Sequence, residues 1–373
     1  MRATRNAVRV LCGAALVLAA GSCTLSPRAA PVSRAADADF RGRFFRLCDV
    51  AATELNRDAR QVPKPVPFYI DSYAVRALCV AFDMTGEPRY LDACRRWSDR
   101  MIEFQRRMIP VGAYYMNYAR KPGEKEGGWY VGDSSSIAMG ILATSVRCAD
   151  PNDKARYLDS VRLYAKLVLD NYVGEAGGIT DGLWPKYGGE WWCSSGVFAS
   201  LAFLLYDETG DEQYLQAALD AVDWLNRLEP RRIKFNYWKD GAPSVVMYVL
   251  EAYSAGLPHL KPGTETHKAA LARIAKMLDW MSKNQQGRGA KSPWDYNSQW
   301  GSKLGGLPFH MYVYSRRLSG RQALRPAADE ELRHIGAILF QTDPPDLSQL
   351  ACFAMMSYAE RLCPGALYRS SRR

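Results

Sequence analysis

Two aspartates stand at matching points of the chain, each at the start of an apolar segment. Asp133 follows Gly132 and precedes the run Ser-Ser-Ser-Ile-Ala-Met-Gly-Ile-Leu-Ala, and Asp71 lies at the same point of an earlier apolar run. A carboxyl group at such a polar-to-apolar boundary can have a raised pKa, which suits general acid catalysis. We therefore predict Asp133 as the first proton-transfer residue and Asp71 as its partner. The alternative role of Asp133 is a helix N-cap.

Aromatic residues are concentrated in the loops that lead into the apolar segments. Exposed rings beside carboxylates suit sugars, whose C–H faces stack on indole and phenol while their hydroxyls form hydrogen bonds. The alternative for the aromatic residues is that their rings fill the core. The alternative for Glu190 is that it solvates a Gly-Gly turn. The predicted substrate-binding residues are Tyr69, Tyr115, Trp129, Tyr130, Glu190, Trp191, Trp192, Tyr237, Trp238, Trp294, Asp295 and Trp300.

Other kinds of catalytic site have little support in the sequence. The four histidines are scattered and form no HExxH motif, so no metal site is predicted. There is no Walker A loop, no GxGxxG and no GxSxG motif, and no cofactor is expected. His310 lies in an apolar run and is expected to be a core histidine. Seven cysteines follow Cys23 without CxxC spacing, and Cys79, Cys94 and Cys352 are expected to pack as small hydrophobic residues.

A motif that repeats along the chain indicates how these residues are positioned. The sequence Phe82-Asp-Met-Thr-Gly-Glu-Pro-Arg-Tyr-Leu-Asp-Ala returns 124 positions later as Tyr206-Asp-Glu-Thr-Gly-Asp-Glu-Gln-Tyr-Leu-Gln-Ala. An apolar helix ends at the Thr-Gly pair, and the next helix opens on acidic residues that suit its N-terminal dipole. Each copy therefore predicts a helical hairpin, and the repeat predicts a structure built from such hairpins.

Amphipathic and strongly apolar helices alternate along the chain. The apolar helices carry almost no charge, as helices buried on all sides must, so they are predicted to form an inner layer. Six pairs would close a ring, which predicts an all-α (α/α)6 toroid over residues 39–363, followed by a basic tail at 364–373. The predicted outer helices are near 40–57, 88–108, 153–172, 211–227, 265–284 and 327–340, and the inner helices near 71–84, 133–148, 194–207, 242–256, 301–316 and 347–362.

The hairpin pattern resembles the six-hairpin glycosidase superfamily, particularly unsaturated glucuronyl and rhamnogalacturonyl hydrolases. The resemblance rests on the apolar inner helix, the Asp-x-Thr-Gly-(Asp/Glu)-x-x-Tyr-Leu motif and the outer helix, and it covers most of residues 40–362. It implies a glycoside hydrolase acting on uronic-acid-containing oligosaccharides. Those enzymes hydrate the double bond of an unsaturated uronic acid, with an aspartate that donates a proton and activates water. The resemblance thus supports Asp133 and Asp71 as acid/base residues.

Two alternatives remain open at this point. Toroid-fold polysaccharide lyases use a tyrosine base, with Asn and Arg neutralising the uronate carboxylate, so a lyase or an epimerase is the second enzyme class. The third possibility is a surface lipoprotein that binds glycan without catalysis. The residues that would serve a lyase are Tyr114, Tyr115, Asn117, Tyr118, Arg120 and Lys121, whose other interpretation is a packed connecting loop.

The N-terminus resembles a bacterial lipoprotein signal. Three arginines precede an apolar stretch from Val10 to Ala20 that is too short to span a bilayer, and Gly21-Ser22-Cys23 follows. Residues 1–22 are predicted to be removed and Cys23 to be lipidated, whereas an ordinary cleaved signal is the alternative. Residues 23–38 are predicted to be a disordered tether. The protein is expected to be exported and held by lipid at the outer membrane or in the periplasm.

The net charge favours an anionic partner over a neutral one. Removing residues 1–22 deletes three arginines, so the formal charge falls from +10 to +7. An acidic polysaccharide or oligosaccharide suits this moderately basic surface, and nucleic acid is not expected outside the cytoplasm.

Overall fold

The computed structural model is helical throughout its described ranges. Twelve α-helices, a 3-10 helix at Gly301–Gly306 and a short second one at Ala366–Tyr368 occur in these ranges, together with isolated β-bridges but no strand. The described residues are 34–57, 66–116, 129–182, 189–228, 242–284, 295–298 and 301–372. The helices are α1 (Arg34–Glu54), α2 (Phe68–Thr85), α3 (Pro88–Gln105), α4 (Val131–Ser145), α5 (Pro151–Asn171), α6 (Trp192–Thr209), α7 (Glu212–Arg227), α8 (Ala242–Gly256), α9 (Glu265–Asn284), α10 (Leu307–Arg317), α11 (Leu324–Leu339) and α12 (Gln349–Leu362).

The even-numbered helices form a closed inner ring. Each packs against the next in the order α2, α4, α6, α8, α10 with its 3-10 helix, and α12, and α12 packs back against α2. The odd-numbered helices lie outside, for example α5 on α4, α7 on α6 and α11 on α10 and α12. This arrangement confirms the predicted (α/α)6 toroid. All residues of α4 except Asp133 and an unbroken run of α6 from Ser194 to Leu205 are buried, which explains why these helices carry so few charges.

The repeated motif forms the same turn in both places where it occurs. Gly86 and Gly210 follow α2 and α6 with φ of 71° and 75°, a left-handed conformation that glycine adopts without steric cost. The preceding Thr85 and Thr209 accept a hydrogen bond from the N–H two residues later, at 3.1 and 3.2 Å. The motif therefore ends one inner helix and starts the next outer helix, as predicted.

Most helix boundaries lie within a few residues of the predicted ones, and two places depart further. Helix α1 begins at Arg34, so the last residues of the predicted 23–38 tether are helical. The predicted inner helix at 301–316 is divided into the 3-10 helix and α10, because Pro308 is in the first turn of α10 and lacks the N–H that a continuous helix would use. A Cβ at Gly305 would lie 2.8 Å from the carbonyl oxygen of Leu350, so only glycine lets the 3-10 helix approach α12 this closely.

The predicted basic tail is packed against the toroid. We call residues 366–372 the closure segment because they join the C-terminal ends of three inner helices. Arg147, just after α4, donates to the carbonyl oxygen of Ala366 at 2.9 Å. Arg369 donates to Asp83 of α2 at 2.8 Å, and the backbone N–H of Ser371 donates to Glu208 of α6 at 2.8 Å. Leu367 and Tyr368 are buried in the core.

The expectations for the cysteines are confirmed. Cys79, Cys94 and Cys352 are fully buried among apolar side chains. All seven cysteines of the described ranges are free thiols. Cys23 and the rest of the predicted signal lie outside the described residues. None of the helices that the structure describes is both long and apolar enough to cross a membrane.

Candidate active site

Side chains from five inner-ring segments meet at the N-terminal end of the ring. Tyr69 is in the first turn of α2, Asp133 in that of α4 and Cys193 in that of α6, and Tyr248 of α8 and Lys303 of the 3-10 helix join them. Asp133 interacts electrostatically with each of the other four. We call these five residues the mouth cluster. Asp133 is its partly exposed carboxylate.

Small residues allow the inner helices to converge here. A Cβ at Gly132 would lie 3.2 Å from the sulfur of Cys193, and one at Gly196 would lie 2.9 Å from the carbonyl oxygen of Tyr248. Larger side chains at these positions would push α4 from α6 and α6 from α8. The Gly132 that precedes Asp133 in the sequence is thus needed for close packing, which brings the first turns of neighbouring helices within reach of one another.

A second carboxylate, Asp181, lies beside Asp133. It belongs to the loop between α5 and α6, where its carbonyl oxygen accepts the N–H of Val131 at 3.2 Å. Its Oδ1 accepts a hydrogen bond from the Ser194 hydroxyl at 2.9 Å. Burial raises the pKa of Asp181 to about 7, the negative charge of Asp133 adds to this rise, and the Ser194 hydrogen bond opposes it. The site therefore holds one carboxyl group that titrates near neutral pH next to another.

Sequence reasoning missed Asp181 because it sought the catalytic pair among carboxylates at the start of an apolar helix. Asp181 instead precedes a glycine in a loop, eleven positions before α6 begins at Trp192. The available signal was the stretch Gly177-Gly-Ile-Thr-Asp-Gly182, a glycine-rich turn carrying one carboxylate toward an inner helix. A β-bridge between Tyr130 and Gly182 brings this stretch to the start of α4.

The structure places Asp71 against an outer helix. Tyr69 and Asp71 are two residues apart on α2, so their side chains leave the helix on opposite sides. Tyr69 faces Asp133, whereas Asp71 interacts with Trp97 and Arg100 of α3. Burial raises the pKa of Asp71 to about 8, and Arg100 and Trp97 oppose this rise. The carboxylate that interacts with Asp133 in the structure is thus Asp181, and not the predicted Asp71.

Some predicted sugar-binding rings are accessible at the mouth. Trp191 and Trp192 at the start of α6 are partly exposed, with ring centroids 5.2 Å apart and planes inclined by 37°. Tyr130, next to α4, is also partly exposed, whereas Tyr69 is buried within the mouth cluster. The tryptophan pair therefore provides apolar faces on which a sugar ring can stack.

Two other aromatic residues have packing roles instead. Trp129 is fully buried, contacts the edge of Tyr172 with ring centroids 5.1 Å apart, and covers Gly182. Tyr115 packs against Phe68 and Phe104 between α2 and α3. The prediction of exposed platforms was wrong for Trp129, because its ring fills the space beneath the loop that carries Asp181.

Two polar residues that were predicted to bind substrate stabilise turns instead. Oε1 of Glu190 accepts the N–H of Ala176 at 2.8 Å, which agrees with the alternative that Glu190 serves a glycine-rich turn. The exposed Asp295 accepts the N–H of Asn297 at 2.9 Å within its own turn. The remaining residues that were predicted to bind substrate lie outside the described residues; they are Tyr237, Trp238, Trp294 and Trp300.

The described part of the predicted lyase cluster belongs to the core. The hydroxyl of Tyr114 is 2.8 Å from that of Ser160, and burial raises its pKa well above the ordinary value. Asn117, Tyr118, Arg120 and Lys121 lie outside the described residues. His310 is a core histidine as expected, because it is fully buried, its Nδ1 is 2.9 Å from the Ser254 hydroxyl, and burial lowers its pKa to about 3.

No metal-binding cluster of three or more His, Cys, Asp or Glu side chains occurs in the part of the chain that the structure describes.

Comparison with known proteins relates the chain to others by fold alone. No protein-family model matches the sequence, and no curated protein matches it either. Several solved structures are similar. The unsaturated glucuronyl hydrolase of Bacillus sp. GL1, responsible for glycosaminoglycan degradation, has a TM-score of 0.61 at 14% identity, covering 88% of this chain and 98% of that enzyme.

Two further solved structures represent other reactions. An inactive variant of the α-1,6-mannanase of Salegentibacter sp. HEL1_6, in complex with α-1,6-mannotetrose, has a TM-score of 0.61 at 14% identity, covering 90% of this chain and 99% of that one. A polysaccharide lyase has a TM-score of 0.58 at 13% identity, covering 87% and 97%. These proteins act on different sugars by different reactions, so the likeness establishes the toroid and leaves the reaction to be argued from the site.

Proposed function

We propose that the protein is a carbohydrate-active enzyme that hydrolyses uronic-acid-containing oligosaccharides, with Asp133 and Asp181 as its acid/base pair. The observation that carries this proposal is the electrostatic coupling of these two carboxylates at the open end of the ring, where the pKa of Asp181 is about 7. A carboxyl group that titrates near neutral pH beside a second carboxylate is a common basis for acid/base catalysis. The partly exposed Trp191 and Trp192 start the adjacent helix and supply the stacking surface.

In the proposed reaction the two carboxyl groups have different tasks. Asp181 is protonated below neutral pH and donates its proton to one carbon of the unsaturated uronic acid double bond. Asp133, ionised, accepts a proton from the water whose oxygen bonds to the other carbon. The double bond is thereby hydrated to a hemiketal, which opens to a ketone and leaves a hemiacetal at the glycosidic carbon. That hemiacetal collapses to an aldehyde, its hydroxyl proton passes to the glycosidic oxygen, and the neighbouring sugar leaves as an alcohol. The proton gained from water by Asp133 balances the proton lost by Asp181, and general acid–base catalysis of this kind contributes roughly 10²–10⁴-fold in rate.

The choice of an acidic substrate has two supports. Without residues 1–22 the chain has a formal net charge of +7, which attracts polyanions. One solved relative of the same fold degrades a glycosaminoglycan. Another binds a neutral mannose oligosaccharide, so neutral sugars belong in any substrate panel.

Isosteric variants test the assignment of the carboxylates. We expect Asp133→Asn and Asp181→Asn to fold and to bind oligouronides, but to lose turnover by roughly 10²-fold or more. Asp71→Asn is the matched control, since Asp71 is also a buried carboxyl group with a raised pKa but faces α3. It should retain near-parental turnover. A loss in Asp71→Asn equal to that in Asp133→Asn, with Asp181→Asn active, would return Asp71 to the role first predicted for it.

The assay distinguishes the classes of function. Loss of ultraviolet absorbance from unsaturated uronides marks the proposed hydrolase, and a gain of absorbance from saturated polymers marks a lyase. Product masses detect hydrolysis of saturated acidic or neutral glycans, which leaves the absorbance unchanged. If neither absorbance change occurs and no glycan that the parent binds is cleaved, the protein is a binding protein.

We also propose that the protein is exported and anchored through lipid on Cys23, as the sequence at its N-terminus predicts. Metabolic labelling with a fatty acid tests this. The parent should carry the label and the Cys23→Ser variant should not, whereas an unlabelled parent that stays on membranes contradicts the proposal.

A further inference from the structure

A buried ion pair crosses the axis of the inner ring. Nη1 of Arg76 on α2 donates to Oε1 of Glu251 on α8 at 2.6 Å, and the two side chains are 1% and 0% exposed. In the order of the ring, α2 and α8 are the first and fourth inner helices, so they stand on opposite sides of the axis. We call Arg76 and Glu251 the crossbar.

The guanidinium group of the crossbar has donors that Glu251 does not use. Nε and Nη2 of Arg76 are both buried, and no group of the described ranges accepts a hydrogen bond from either. These two N–H groups lie side by side on one edge of the planar guanidinium, so they form a donor fork. Buried donors in native proteins almost always have an acceptor, because leaving one without a partner is costly.

A third unsatisfied group faces the same guanidinium. The ring centroid of Tyr368, from the closure segment, lies 5.8 Å from Cζ of Arg76. The hydroxyl oxygen of Tyr368 is buried and has no hydrogen-bond partner in the part of the chain that the structure describes. Polar groups that face each other at more than direct hydrogen-bond distance are commonly bridged by water. Two such groups, one from each end of the chain, therefore meet inside the ring.

The charges around this place favour a neutral ligand. Arg76 and Glu251 compensate each other at 2.6 Å, and Tyr368 is neutral because burial raises the pKa of its hydroxyl well above the ordinary value. Arg317, a cation that also interacts with Tyr368, is exposed to solvent and donates to the carbonyl oxygen of Ser254 at 2.9 Å. An added anion would be a buried charge without a counter-ion of its own.

We propose that a buried water molecule bridges the donor fork of Arg76 and the hydroxyl of Tyr368. Water can accept from Nε and Nη2 and still donate to the phenol oxygen, and buried waters typically make about three hydrogen bonds. The bridge joins the crossbar to the closure segment. Arg76 lies about two helical turns beyond Tyr69 on α2, away from the mouth, so the proposal does not depend on the proposed function.

A crystal structure of the parent protein, at a resolution that shows ordered water, tests the proposal. We expect an electron-density peak within hydrogen-bond distance of both the Arg76 fork and the Tyr368 hydroxyl. Density that shows no such peak, or a peak that touches Arg76 and does not reach Tyr368, would overturn the bridge.

Crystals grown with bromide distinguish water from an anion. Bromide has an anomalous X-ray signal, whereas water has none. An unchanged peak without anomalous signal supports water, and an anomalous peak beside Arg76 would show that the place binds an anion instead.

Two tyrosine variants provide a matched comparison. Tyr368→Phe keeps the ring but removes one partner of the bridge, so the peak should be lost or should move away from residue 368. Tyr314→Phe is the control, because the hydroxyl of this fully buried tyrosine already donates to the carbonyl oxygen of Leu250 at 2.7 Å. Its peak should match that of the parent, and a peak that stays in place in Tyr368→Phe would contradict the proposal.

Replacing the crossbar removes the donors themselves. Arg76→Met is combined with Glu251→Gln, so that no buried carboxylate is left unpaired. In a folded double variant the peak should be absent, and a peak that persists there would also contradict the proposal. If the double variant does not fold, the parent and the two tyrosine variants still decide the question.

Discussion

At the residue scale, Asp181 sets the pH range over which the proposed reaction can run. Its pKa is about 7 because burial and the charge of Asp133 both disfavour ionisation. An essential acid must be protonated, so kcat/KM should fall as pH rises through this value. The Ser194 hydrogen bond acts in the opposite direction, since it stabilises the ionised carboxylate.

Removing the Ser194 hydroxyl should change the pH above which the proposed reaction slows. We expect Ser194→Ala to shift the basic limb of kcat/KM upward by about one pH unit, because a hydrogen bond to a charged group contributes roughly 1.5 kcal/mol or more. Ser195→Ala is the matched control, since the Ser195 hydroxyl accepts the N–H of Ile179 and does not act on Asp181. Rate profiles measured from pH 5 to 9 check this, and identical limbs in the two variants would contradict the role given to Asp181.

At the element scale, glycine substitutions can show how much of a turn's stability depends on backbone conformation and how much on packing. Gly86 has φ of 71°, and a Cβ there would meet nothing within 4 Å, so Gly86→Ala tests conformation alone. It should destabilise the protein by about 1–2 kcal/mol. Gly42, inside α1, also has open space around it but a helical φ, so Gly42→Ala should stabilise by about 1 kcal/mol. Urea unfolding measures both changes, and a Gly86→Ala variant as stable as the parent would show that the turn does not require glycine.

Helices were predictable because their signals are local. Alternating amphipathic and apolar segments, together with the Thr-Gly turns, placed all twelve helices in the described ranges, with boundaries shifted by a few residues. The missed break before α10 also had a local signal, because Pro308 in the first turn of α10 lacks the N–H that a continuous helix would use. How closely the 3-10 helix approaches α12 at Gly305 depends instead on tertiary packing. Sequence periodicity specifies which face of a helix is apolar, but not which neighbour lies next to it.

The candidate site was only partly predictable for the same reason. Asp133 was found because it begins an apolar helix, a feature visible in the sequence. Asp71 and Tyr69 lie on opposite sides of α2, but the sequence does not say which of these sides faces the ring axis. The structure shows that it is the side of Tyr69. Asp181 and Lys303 reach the mouth from a loop and a 3-10 helix, and neither has a periodic signal that identifies its partner.

At the scale of the whole molecule, the closure segment holds inner helices that are distant in sequence. Removing residues 366–372 would leave Glu208 without the Ser371 N–H and would uncover the core around Leu367 and Tyr368. We expect a lower Tm, by several degrees or more, because buried apolar surface and hydrogen bonds to a buried carboxylate are lost together.

A milder change serves as the control for this truncation. Arg369→Ala removes an ion pair whose arginine is 56% exposed, so its effect should be small. Thermal unfolding of both variants checks the prediction. A truncated protein that unfolds at the parental temperature would show that the closure segment is not part of the stable domain.

The contact between Arg369 and Asp83 spans 286 residues, and α12 completes the ring by packing on α2. During synthesis, α2 leaves the ribosome long before its last neighbour exists. At about 5–20 residues per second this delay is roughly 14–57 s. For that time the side of α2 that α12 covers in the native ring stays exposed, and exposed apolar surface of this kind makes an incomplete chain prone to aggregate. Because the ring closes on its first inner helix, it cannot finish folding until its last inner helix has been synthesised.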